Sequence, residues 1–230
     1  MRYAIYYSPA ETSLLHQLGS VWLGYNAFTG EKIAQHGDGL LNGKTELAAR
    51  YGFHATLKAP FYLKPDMKAS DLITAAAELS TSLAPVRIEK LVLRLIDGFL
   101  ALVPEEPSRA VNQLADTCVR ELDTFRQEPD EAELIRRHAE NLNARQHRYL
   151  TEWGYPFVFE EFKFHMTLTK RLDAVEQTAV LAWAESHFAD VINRPLIIDS
   201  LSVFSQATPN TLFIVEKRFP LTTQKLAVNA

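Results

Sequence analysis

The sequence predicts an α+β fold of two pseudo-symmetric lobes, each mostly antiparallel sheet with helices on the outer face, around a central groove. Three observations predict it. First, Phe-His-x-Thr-Leu occurs twice, as Phe53-His54-Ala55-Thr56-Leu57 and as Phe164-His165-Met166-Thr167-Leu168, 111 positions apart. Second, each copy is followed by a helical pattern and then by two strands joined by a turn, so a whole supersecondary unit repeats. Third, the hairpins and short links favour antiparallel sheets with helices to one side. Apolar residues are 47% of the 230, enough for a sizeable core, and no Gly/Ser/Pro-rich linker divides the chain. One two-lobed domain over residues 1–230 is therefore expected.

The elements follow in order. Residues 2–8 are rich in Tyr and Ile and read as a strand stopped by Pro9. Thr12 or Ser13 caps a helix through Leu14, Leu15, Leu18, Val21, Trp22 and Leu23. Residues 24–43 hold five Gly and read as a long loop with little fixed structure. The first histidine strand spans about 51–63. Ser70 caps a helix over 71–83, and Pro85 ends it. Residues 86–96 read as a strand, Asp97-Gly98 as a hairpin turn and 99–103 as the returning strand. Pro107 and Ser108 open a helix to about 125, Pro129 breaks it, and a charged helical stretch covers 130–153. The second histidine strand spans 157–169. Asp173 caps a helix to about 188, and 196–204 and 211–219 pair through a turn at Pro209-Asn210.

Composition narrows the function. The net charge of −4 offers no broad basic field, so long nucleic acid is not expected as a partner and a small anion held by local charges fits better. The single cysteine, Cys118, lies among apolar helical neighbours and reads as a buried thiol. The N-terminus is too short and too polar for a signal peptide, and no apolar run reaches membrane-spanning length. A cytoplasmic protein without membrane association is the expectation, with the oligomeric state left open. The histidines are scattered, without His-x₃-His or His-Glu-x-x-His, and His36-Gly37-Asp38 sits in a Gly-rich loop, so no metal site and no cofactor is expected. There is neither a Gly-x₄-Gly-Lys-Ser/Thr cradle nor a Gly-x-Gly-x-x-Gly turn after a strand.

The repeated motif carries the chemistry. Alternate side chains of a strand share a face, so Phe, the x residue and Leu point to a core while His and Thr point together to the other side. Two such strands facing one another bring His54, Thr56, His165 and Thr167 into one cleft. Imidazole titrates near neutrality and serves as general base or acid. The threonine hydroxyls donate to non-bridging phosphate oxygens, although Thr is also common on strands for packing alone. A cyclic or strained phosphodiester suits that set. The same parity sends Lys58 and Lys163 toward the cleft and Lys170 away from it. Tyr3 and Tyr7 share one face of the first strand and Tyr6 the other; Tyr7 is a candidate for the substrate's phosphate or a sugar hydroxyl. Tyr51 and Trp153 are candidates for stacking on a base. Arg50 precedes the first histidine strand. Arg136, Arg137, Arg145 and Arg148 make a basic segment in which Arg137, His138, Asn141 and Arg145 share a helical stripe. Arg50, Arg137 and Arg145 are candidate phosphate ligands, while the interleaved Glu131, Glu133 and Glu140 equally suit a solvated helix with i,i+4 pairs.

The two His-x-Thr-x strings, His54-Ala55-Thr56-Leu57 and His165-Met166-Thr167-Leu168, resemble those that name the 2H phosphoesterase superfamily. Residues 2–7, 50–61, 143–146 and 153–172, with Trp22-Leu23-Gly24, look more closely like the branch found with phosphonate-utilisation operons; residues 27–47 match least. The resemblance implies a bilobed α+β fold and metal-independent hydrolysis of phosphodiesters. For this branch it implies opening of a cyclic phosphate on a small phosphorylated sugar or nucleotide. Two other functions share the site: an RNA-end or 2′–5′ phosphodiesterase or ligase, and a phosphometabolite-binding module without turnover. Both His-x-Thr pairs are intact, which favours an enzyme.

Overall fold

The computed structural model describes residues 1–37, 39–129 and 142–223. Strand β1 (Arg2–Tyr7) leads to helix α1 (Leu14–Leu23), which starts where the Ser13 hydroxyl accepts from the His16 amide. Residues 24–37 and 39–43 are more structured than their glycines suggest. They hold a short hairpin, β2 (Tyr25–Asn26) and β3 (Glu31–Lys32), anchored by buried Tyr25, whose hydroxyl donates to the Phe213 carbonyl at 2.8 Å. One turn of helix, α2 (Glu46–Ala49), precedes β4 (Ala55–Tyr62). Helix α3 (Ala69–Ser82) begins two residues before Asp71, whose carboxylate accepts from the Lys68 amide at 3.0 Å.

The stretch 86–96 is two strands, β5 (Val86–Ile88) and β6 (Leu91–Ile96), and β7 (Phe99–Pro104) returns from the Asp97-Gly98 turn. Both turn residues have positive φ, 46° and 89°, as the tight mirror-image hairpin turn requires. Helix α4 (Arg109–Glu121) is followed by a short 3₁₀ turn (Asp123–Phe125). Helix α5 (Ala144–Trp153) starts at Asn143, which forms a capping box with Gln146. The remaining elements are β8 (Met166–Arg171), α6 (Ala174–His187) capped by Asp173, β9 (Leu196–Ile198), β10 (Ser200–Gln206) and β11 (Ile214–Pro220).

The lobes are not the two halves of the chain. One sheet has the order β11-β10-β1-β4 and the other β6-β7-β8, all antiparallel. The first histidine strand, β4, thus shares a sheet with the hairpin of the second half, and β8 with the hairpin of the first. Strands β5 and β9 pair with each other in a separate two-stranded sheet. Helices α3 and α4 lie against the four-stranded sheet, while α1 and α6 lie against the three-stranded one. One continuous core runs through both lobes, with Trp22 bonded to the Leu168 carbonyl at 3.0 Å. This exchange explains why no linker is legible: neither half can bury its own sheet edge alone. Cys118 is fully buried in that core, and burial pushes its thiol up to about 12.

Candidate functional site

Strands β4 and β8 are edge strands, and they approach one another across the groove. His54 and His165 sit one residue before them, so the predicted histidine strands are shorter than their apolar runs. Residues 157–165 are instead a 3₁₀ turn (Phe159–Glu161) and extended chain. His54, Thr56, His165 and Thr167 all line a single cavity of about 400 Å³.

The two imidazoles are held the same way. His54 Nδ1 lies 2.9 Å from the Gly52 carbonyl, and His165 Nδ1 lies 2.7 Å from the Lys163 carbonyl. A carbonyl only accepts, so each Nδ1 carries the hydrogen, and in the neutral ring Nε2 keeps its lone pair. The Thr56 hydroxyl then donates to His54 Nε2, at 3.2 Å. Tyr6 stacks on the His54 ring with centroids 3.8 Å apart. Gly52 makes this possible: its φ is 72°, and a Cβ there would meet the Ala27 side chain at 2.6 Å. The Gly-rich segment therefore supports the carbonyl that orients His54. Burial pulls the His54 pKa down from 6.5 to about 4; the Gly52 carbonyl opposes this and a charge on His165 adds to it. Burial also lowers His165, against the pull of the Lys163 carbonyl.

The other predicted contacts divide. Lys58 does not reach the cleft. Tyr6 pairs with Thr56 but Ile5 pairs with Lys58, so β4 has an extra residue at Leu57 and the face alternation slips. Lys58 points instead beneath α4, where its ammonium bonds Asp123 at 2.7 Å and the Val119 carbonyl at 3.3 Å. Burial depresses that ammonium and Asp123 offsets part of the loss. Burial raises the Asp123 carboxyl, but its bonds to Arg126 and Lys58 outweigh this and hold it below the ordinary value.

Tyr7 is on the wrong face. It is buried, its hydroxyl donates to the Ile197 carbonyl at 3.2 Å, and Tyr6 lines the cavity instead. Arg50 is exposed and lies outside the cavity walls. Arg145 is held by Glu161, at 2.6 Å, rather than by the cleft. Arg136, Arg137, His138 and Asn141 lie outside the described residues. Lys163 lines an adjoining cavity of about 360 Å³ that shares His165 and Thr56. Trp153 packs on Phe159 and under Arg120, away from the cleft.

Lys170, expected to face away, lines the main cavity together with Arg171 and Tyr155. For Tyr155 the sequence signal was its place in the stretch 153–172, just after Gly154, which ends α5. Among the described residues no carboxylate lines the main cavity. Among the described residues no group of three His, Cys, Asp or Glu could hold a metal ion, and no helix is long and apolar enough to cross a membrane.

Fold and site together define a bilobed α+β protein whose two His-x-Thr-x motifs converge on one cleft. The chain belongs to DUF1045, described as a protein family of unknown function, whose pattern matches residues 56–214. It is 36% identical, over 97% of its length, to a protein of Janthinobacterium sp. (strain Marseille) named ribose 1,5-bisphosphate phosphokinase PhnN, and covers 51% of that protein. A protein of the same name from Laribacter hongkongensis (strain HLHK9) is 33% identical over 93% of the chain, which covers 50% of it. The chain thus spans about half the length of the curated relatives it matches. Among solved structures, TT0787 of Thermus thermophilus is 14% identical, with a TM-score of 0.49, and the match covers 98% of this chain and all of that one. E. coli LigT complexed with 3′-AMP is 16% identical, with a TM-score of 0.43, covering 96% of this chain and 98% of that one.

Proposed function

We propose that this chain is a metal-independent phosphodiesterase that opens a cyclic phosphate on a small ribose-containing substrate. The observation that carries this reading is the pair of like-held imidazoles, brought from two different sheets into one cavity free of carboxylates among the described residues. In-line attack on phosphorus needs a base on the water and an acid on the departing alkoxide, on opposite sides. The more strongly depressed His54 is neutral near pH 7 and takes the proton from water through Nε2. His165 gives a proton to the leaving ribose oxygen, and the P–O bond to that oxygen breaks as the new P–O bond to water forms. With substrate bound the Thr56 hydroxyl turns from His54 Nε2, freeing that lone pair for water, and it and the Thr167 hydroxyl donate to the non-bridging oxygens.

The relatives' names contain a ribose bearing two phosphates, a substrate class that suits this cleft, and the resemblance to the phosphonate-associated branch points the same way. The sequence has no P-loop cradle, so the kinase step of those names is not carried onto this chain. Tyr51, Tyr155 and Phe157 extend the cleft as an aromatic arm, which favours a nucleotide substrate as the second reading.

The test is a turnover panel in the presence of excess EDTA: ribosyl 1,2-cyclic phosphate, nucleoside 2′,3′-cyclic phosphates and 2′–5′ dinucleotides. Turnover of a cyclic ribosyl phosphate that persists under chelation is expected. Turnover lost to EDTA and restored by a divalent ion rejects the proposal. The pH profile gives a second test, with a cyclic substrate that has no other titrating group. Both imidazoles are depressed in the free protein, so kcat/KM should rise through about pH 4 and fall again below 6.5, as the last proton leaves the pair. A bound anion favours the charged ring, so the falling limb of kcat should lie at higher pH than that of kcat/KM. A kcat/KM profile still rising at pH 7 contradicts the assignment.

A further inference from the structure

We infer that Lys170 and Arg171 form a second anion subsite, which holds a phosphate of the substrate other than the one that reacts. This rests on the phosphodiesterase reading of the cleft and names what else its substrate carries. Regular alternation along β8 would send Lys170 to the face opposite Thr167. The strand is not regular: Ala101 pairs with Thr167 but Phe99 pairs with Arg171, so two residues of β7 face four of β8. The bulge is fixed from both sides. The Thr169 hydroxyl accepts from the Leu100 amide at 2.9 Å, and the Lys170 amide donates to the Lys44 carbonyl at 2.7 Å. Bulges re-aim side chains, and this one turns two consecutive cations onto one cavity wall.

Three features make these cations a ligand site rather than a solvated strand end. Neither has an ion-pair partner among the described residues, whereas Lys44, Lys58, Lys90, Arg126 and Arg145 are each paired with a carboxylate. Among the described residues no carboxylate lines the same cavity, in a chain whose net charge is −4. Two other candidate arginines are placed elsewhere, with Arg145 on Glu161 and Arg50 outside the walls. The stem of Arg171 lies over Gly98, where an added Cβ would come within 4.0 Å of it. An ammonium and a forked guanidinium side by side suit a terminal phosphate, which carries about two negative charges near neutral pH.

The test compares two cyclic ribosyl phosphates, with and without a distal phosphate, on wild type, Lys170→Ala, Arg171→Ala and the double variant. Lys32→Ala on the exposed β3 hairpin controls for net charge. Wild type should prefer the substrate with the distal phosphate. Each cleft variant should lower the ratio of kcat/KM between the two substrates by about 10–100-fold, mainly through KM, as for a charged hydrogen bond that is equal in ground and transition states. Lys32→Ala should keep the ratio. If wild type opens both substrates equally, or no cleft variant changes the ratio, the subsite is refuted while the phosphodiesterase reading survives. If wild type opens neither, that reading fails, and calorimetry with ribose 5-phosphate then decides the subsite alone. At least about 10-fold weaker binding by the double variant supports it, and equal binding overturns it.

Discussion

His54→Ala and His165→Ala are each expected to lower kcat on a cyclic ribosyl phosphate by about 10²–10⁴-fold, because each removes one positioned proton-transfer group. The two losses should differ in kind. A substrate with an activated leaving group, such as a p-nitrophenyl phosphodiester, needs no acid. It should recover most of the loss in His165→Ala and little of that in His54→Ala. Recovery in the opposite variant exchanges the two roles, and recovery in neither argues against acid–base chemistry by this pair. Thr56→Val and Thr167→Val each remove one donor among several and should cost less, on the order of 10–10²-fold. Because His54 stacks on buried Tyr6, His54→Gln belongs beside His54→Ala, with melting curves to separate lost chemistry from lost packing. Small, equal effects from all four positions would favour a binding module.

The largest expected loss of stability lies behind the site. Asp123→Ala should destabilise the fold by about 3 kcal/mol, since removing one partner strands two buried charges. Lys58 and Arg126 both depend on that carboxylate, with bonds of 2.7 and 2.8 Å, and their side chains are only 4% and 9% exposed. For a chain of this size that corresponds to a fall in melting temperature on the order of 10 °C. Replacing the whole set, with Lys58→Met, Asp123→Leu and Arg126→Met together, should cost far less than Asp123→Ala alone, because no charge is then left unpaired. An Asp123→Ala protein that melts with wild type would show that the three charges are solvated and contribute nothing.

The network also shows why Lys58 misled a reading from periodicity. Face alternation is a local rule, and it holds until the ladder slips. Both histidine strands slip just past their threonines, β4 at Leu57 and β8 between Thr167 and Arg171. The first slip removes Lys58 from the cleft and the second brings Lys170 in beside Arg171, which parity alone already sends there. Bulges of this kind are set by which partner atoms meet the strand, such as the Leu100 amide on Thr169, and those partners are far away in sequence. Tyr6 and Tyr7 posed a related problem. The sequence separated their faces correctly, but only the pairing of Tyr6 with Thr56 shows which face is the groove.

What the sequence determined by itself was the repeated unit, most of the elements, the caps at Ser13, Ser108 and Asp173 though not at Ser70, whose helix starts from Lys68, and the shared parity of histidine and threonine within each motif. These depend on spacing over a few residues: the cap at Ser13, the Asp97-Gly98 turn, the capping box at Asp173. Tertiary structure alone decided that each histidine strand joins the hairpin of the other half, that Ala27 packs against Gly52, whose carbonyl orients His54, and which cations face the cleft. The physical reason is the same in all three cases. Each outcome is a choice of partner between segments tens to more than a hundred residues apart, fixed by burial of sheet edges and by backbone groups that must find a hydrogen bond, and short-range patterns carry no record of that choice.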